Sequence, residues 1–97
     1  MSGDYIQELK ELVLDALKDE ELKIILFGSR ARKDGAISSD VDIGIIPKGS
    51  FDRKKITLLR ESIDEMNIPY KVDIVDFSFA TEEFKNEAMK EAESWKD

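Results

Sequence analysis

Between residues 4 and 18, apolar side chains fall at Ile6, Leu9, Leu12, Val13, Ala16 and Leu17. Steps of three and four predict one amphipathic helix. Asp4, with Gln7 three residues on, suits its N-cap and capping-box partner. The pattern then shortens to LKIILF, residues 22–27, a β-rich run that Gly28-Ser29 stops. A short helix is expected over residues 29–34, ended near Gly35. Residues 41–46, VDIGII, read as a second strand closed by Pro47-Lys48-Gly49. Ser50 is the expected cap of a helix through about Met66, with Ile56, Leu59, Ile63 and Met66 on one face and Asn67 and Pro69 ending it. YKVDIVDF, residues 70–77, reads as a third strand. A last helix begins near Thr81, where Glu82 and Glu83 suit its N-terminal dipole. The expected fold is α/β (α+β), a small mixed sheet of at least three strands with helices packed on one face at least.

Ninety-seven residues fit one domain, 1–97. Against 22 acidic residues stand 15 Lys+Arg, a net charge of −7. That balance argues against direct DNA or RNA binding, which draws its affinity from phosphate neutralisation. It permits a nucleotide held through metal ions, because the cations bring the positive charge. With no Cys and no His, disulfides, thiolate nucleophiles, imidazole bases and His-ligated zinc are excluded. Apolar runs are too short to span a bilayer and the first residues lack a signal-peptide core, so no membrane partner and a cytoplasmic location are expected.

Candidate chemistry lies where carboxylates interrupt strands, since Asp is disfavoured there and costly when buried unpaired. Asp40 and Asp42 flank Val41, and Asp73 sits inside the third strand. Alternation points Asp40 and Asp42 to one face and Val41, Ile43 and Ile45 to the other. If both apolar rows meet the same helices, all three carboxylates converge on the opposite, exposed face. Such an all-oxygen cluster suits Mg²⁺ or Mn²⁺, and a pair of these ions serves in-line phosphoryl or nucleotidyl transfer. Gly28-Ser29, at a strand-to-helix junction, lets backbone N–H groups approach a phosphate. Arg30 and Arg32 follow, placed for phosphate charge or for a solvated helix face.

These residues resemble the DNA polymerase beta-like nucleotidyltransferases. Gly28-Ser29, ten intervening residues, Asp40-Val41-Asp42 and a later strand Asp, Asp73, match that family's signature, and GSRARKDGAISSDVDIGI is most similar to its minimal nucleotidyltransferase (MNT) branch. The likeness covers roughly residues 22–84. It implies that Gly28 and Ser29 hold the triphosphate of ATP, that Asp40 and Asp42 ligate Mg²⁺, and that Asp73 completes the metal site and assists deprotonation of the attacking hydroxyl. It further implies an antitoxin of a type VII-like pair, which transfers AMP to a Tyr of a partner HEPN-domain toxin. Two alternatives share the fold. One is a catalytically silent antitoxin that covers its toxin, the other a small-molecule nucleotidyltransferase. The sequence departs from the branch at Lys33, where Gly is common, and in EAMKEAESWKD, which lacks the apolar terminal strand of many relatives.

Taken singly, each Asp reads as a strand-edge solubiliser and Gly28-Ser29 as a plain turn; the joint spacing favours the metal reading. Asp76 shares the face of Val72 and Ile74 and is expected to cap a strand end. Arg53-Lys54-Lys55 reads as a solvated helix face. Trp95 is expected to anchor the tail or meet a partner.

Overall fold

A computed structural model describes residues 5–27, 40–68, 71–90 and 92–96. In chain order it comprises α1 (Tyr5–Ala16), β1 (Leu22–Phe27), β2 (Asp40–Pro47), α2 (Lys54–Glu65), β3 (Lys71–Asp76), a 3-10 turn (Phe77–Phe79), α3 (Glu82–Lys90) and β4 (Glu93–Lys96). The strands form one mixed sheet in the order β3-β2-β1-β4. β1 pairs antiparallel with both β2 and β4, while β2 and β3 run parallel. Parallel neighbours need a crossover, and α2 supplies it.

Strand alternation divides the apolar side chains between two faces. Leu22, Ile24 and Leu26 of β1, Val41, Ile43 and Ile45 of β2, and Ile74 of β3 share one core with Leu9 and Val13 of α1 and Ile56, Leu59 and Ile63 of α2. Burial of each such aliphatic side chain contributes about 1.5–3 kcal/mol. This is the helix-covered face that the periodicities predict. On the opposite face Ile25, Phe27 and Phe77 form a second, smaller core, with Val75 of β3 and Ala88 of α3 against it. The far half of the face expected to be exposed is therefore covered.

Helix ends follow side-chain chemistry. Asp52, not Ser50, supports the first turn of α2 from just outside it: its Oδ1 accepts the Lys54 N–H at 3.0 Å and its carbonyl accepts the Lys55 N–H. At the other end Asn67 takes φ 54°, a left-handed geometry that Asn tolerates past a helix terminus. Thr81 Oγ1 accepts the Phe84 N–H at 3.1 Å and caps α3. Arg53 and Lys55 are not merely solvated, as each forms an ion pair: Arg53 with Asp76, and Lys55 with Glu20 at 2.7 Å, which ties α2 to the turn after α1. The Asp4 cap and the short helix expected over residues 29–34 lie outside the described residues.

The tail departs from expectation. ESWK forms a terminal strand after all, pairing with β1 through a register shift between Ile24 and Ile25. Trp95 is buried in the main core and is a tail anchor. Among the described residues, no helix is long and apolar enough to cross a membrane.

Candidate active site

β2 and β3 run in parallel register, so residues at matching positions share a face. Val41, Ile43 and Ile45 are fully buried on the helix side, which turns Asp42 to the other. Asp42 is the register partner of Asp73 in β3 and of Phe27 in β1. The row Phe27–Asp42–Asp73 thus crosses three adjacent strands, two of them carrying carboxylates about 4.8 Å apart at the backbone. Asp42 is half-buried and Asp73 exposed. Like charges set side by side repel, and a cation held between the two carboxylates would relieve that.

The third predicted ligand, Asp40, opens β2 opposite Lys71; its side chain lies outside the described set. Among the described residues no group of three His, Cys, Asp or Glu side chains could hold a metal ion; Asp42 and Asp73 are a register pair. Gly28, Ser29, Arg30 and Arg32 fall in residues 28–39, also outside the described residues. The chain leaves β1 at Phe27 and re-enters at Asp40, and both stand at the sheet end that bears Asp42 and Asp73. An all-oxygen donor set without His or Cys fits a hard divalent cation such as Mg²⁺.

Behind the carboxylates lies an aromatic support that the periodicities alone do not reveal. Phe27 meets Phe77 edge-on at 5.5 Å between ring centres, and Phe84 of α3 lies 6.1 Å from Phe27 and 5.4 Å from Phe77. Gly44, two residues after Asp42, makes room for this stack: a Cβ there would stand 2.8 Å from Phe77 Cε1 and 2.9 Å from Ile25 Cγ1. A glycine inside VDIGII was the available signal, because glycine in a strand marks close approach. The same sheet face therefore carries an aromatic half and an acidic half.

Asp76 stays apart from the carboxylate pair, as expected. Its Oδ1 accepts the Ser78 N–H at 2.9 Å and so caps the 3-10 turn.

The family model for polymerase beta nucleotidyltransferases matches residues 8–94. The chain is similar to the probable protein adenylyltransferase MntA of Haemophilus influenzae, 29% identical over 83 residues that cover 71% of this chain and 73% of that protein. In fold it is similar to a toxin–antitoxin crystal structure with AMP-PNP, at TM-score 0.65 and 21% identity over 89% of this chain and 71% of that one. It also resembles a structure of the tri-AMPylated HEPN toxin of Shewanella oneidensis in complex with MNT antitoxin, at TM-score 0.62 and 22% identity over 92% and 70% of the two chains. With its model matched over nearly the whole length, and a carboxylate pair on adjacent strands as that chemistry demands, this chain belongs to the polymerase beta nucleotidyltransferase family.

Proposed function

We propose that this nucleotidyltransferase is a protein adenylyltransferase, moving AMP from ATP to a tyrosine hydroxyl of a HEPN-domain toxin and serving as the antitoxin of a type VII-like pair. The observation that carries the reading is the Asp42–Asp73 register pair at the sheet end where β1 hands over to residues 28–39. The similarity to MntA of Haemophilus influenzae, a probable protein adenylyltransferase, and the fold shared with an MNT antitoxin bound to an AMPylated toxin support the acceptor class. A cytoplasmic location accords with it.

Asp40 and Asp42 would hold Mg²⁺ or Mn²⁺, with Asp73 completing the shell. Bound there, the cations would neutralise the triphosphate and lower the pKa of the acceptor hydroxyl. The protein's own part is to position and to move one proton. Gly28 and Ser29 would offer backbone and hydroxyl donors to the triphosphate, and Arg30 and Arg32 would add charge-assisted bonds to its oxygens. The acceptor oxygen attacks the α-phosphorus and the α–β bridging P–O bond breaks. Pyrophosphate leaves, and the hydroxyl proton passes to the Asp73 carboxylate.

Incubation of the chain with α-labelled ATP, Mg²⁺ and lysate of its source cells tests this. A protein band labelled by wild type and lost with Asp40→Asn/Asp42→Asn is the expected result, and mass spectrometry of that band locates the AMP. Labelling that survives the double substitution would overturn the mechanism. A partner that co-purifies without label would favour neutralisation by binding alone.

A further inference from the structure

On the face of a sheet a residue has four nearest neighbours, two across the adjacent strands and two along its own strand. For Asp42 the first two are Phe27 of β1 and Asp73 of β3, and the second two are Asp40 and Gly44 of β2. Gly44 brings no side chain, and the ring of Phe77 fills its place: a Cβ there would stand 2.8 Å from Phe77 Cε1. Phe27 and Phe77 are both buried and meet edge-on, their ring centres 5.5 Å apart. Two adjoining sides of Asp42 are therefore aromatic, and the remaining two positions belong to Asp40 and Asp73. Phe84 of α3, 43% exposed, lies 6.1 Å from Phe27 and 5.4 Å from Phe77 and braces this corner from outside. Packing alone does not call for glycine at position 44. A side chain there would fill the same space from β2 without bringing a ring beside Asp42.

Resting on the reading of a metal-dependent transferase, we propose that Phe27 and Phe77, braced by Phe84, are positioning residues for Asp42. They form an apolar corner that keeps water from two sides of its carboxylate and leaves it open toward Asp73 and the start of β2. A carboxylate walled in this way has fewer conformations to lose when it takes a cation. The apolar atoms around a metal site also control the access of solvent to it. Asp42 is half-buried while Asp73 is exposed, as a wall on one side of the pair requires. Leu at position 27 is too short to meet both Phe77 and Phe84 as the ring does, so it opens the corner and frees the carboxylate to turn away.

Mn²⁺ alone, titrated into the full chain and followed by the electron paramagnetic resonance of the free ion, tests this without recourse to transfer activity. Phe27→Leu is expected to weaken binding about ten-fold and Phe84→Ala about five-fold. Phe84→Tyr, which keeps the brace and can turn its hydroxyl to water, is expected to bind as wild type does. So is Val13→Ala, a loss of packing in the main core, far from the corner. Binding by Phe27→Leu within about two-fold of wild type overturns the inference; where that variant does not fold, Phe84→Ala decides by the same limit. An equal weakening in Val13→Ala traces the effect to general stability and overturns it too. In either case, AMP transfer by wild type to a lysate protein leaves the proposed function standing. A wild-type chain that takes up no Mn²⁺ defeats the metal reading itself, and the inference with it.

Discussion

Arg53 Nε donates to Asp76 Oδ2 at 2.7 Å, joining the residue before α2 to the residue that ends β3. The same guanidinium bonds Ser78 Oγ at 2.7 Å and stands 5.4 and 5.2 Å from the ring centres of Phe51 and Phe79. It closes the βαβ crossover at the end of the sheet opposite the carboxylate pair. Burial pushes the Asp76 carboxyl up, but the Ser78 N–H, the Arg53 guanidinium and the Ser78 hydroxyl outweigh it and hold the group below the usual carboxylate value.

A depressed folded-state value contributes stability above the unfolded pKa of about 3.9 and loses it as pH falls through the folded value. Asp76→Asn is therefore expected to cost about 1 kcal/mol at neutral pH, a figure held down because Arg53 is half-exposed. The difference from wild type should close under acid. Urea melts of both proteins at neutral pH and near pH 3 check this; a gap that stays constant with pH would sink the explanation.

The Asp42–Asp73 pair makes a prediction about metal removal. Without a divalent ion, two carboxylates side by side on adjacent strands repel, by about 0.2–1 kcal/mol. Asp73→Asn should hence be slightly more stable than wild type in chelator. With Mg²⁺ at ten times its dissociation constant, wild type should gain about 1.4 kcal/mol, and the variant should gain far less. Thermal melts in chelator and in Mg²⁺ decide it. An equal Mg²⁺ response in both proteins would remove Asp73 from the proposed metal site.

Gly44→Ala places a methyl group against Phe77 and Ile25, both buried. Overpacking of this kind costs about 1–3 kcal/mol. The urea midpoint should fall accordingly, and Gly44→Ala/Phe77→Leu should recover part of the loss, because the two sites share one contact. A double variant no better than the sum of its parts would show that the strain lies elsewhere.

Much of this arrangement was legible because strand alternation is strict. Once Val41, Ile43 and Ile45 face the helices, Asp42 has no choice of side, and parallel register brings it level with Asp73. Caps were harder to read. Ser50 and Asp52 are both good capping residues, and only the packed start of α2 selects the second. β4 was illegible for a different reason: ESWK has one apolar residue, and its strand conformation comes from the open edge of β1 rather than from its own pattern. The aromatic stack needed long-range information as well, since Phe27, Phe77 and Phe84 come from three separate elements. Of the residues assigned by motif, Gly28, Ser29, Arg30 and Arg32 lie outside the described residues, so their roles rest on spacing and chemistry.

That the final strand pairs with the first has a consequence during synthesis. β1, the six-residue run LKIILF, is made before either of its sheet partners. One of its edges is covered once β2 follows, but the other must wait for residues 93–96. Until then the nascent sheet presents an aliphatic border of the kind that recruits strands from other chains. Trp95, carried by an otherwise polar segment, closes that border, so the growing chain keeps one aliphatic strand edge open until residues 93–96 have been made.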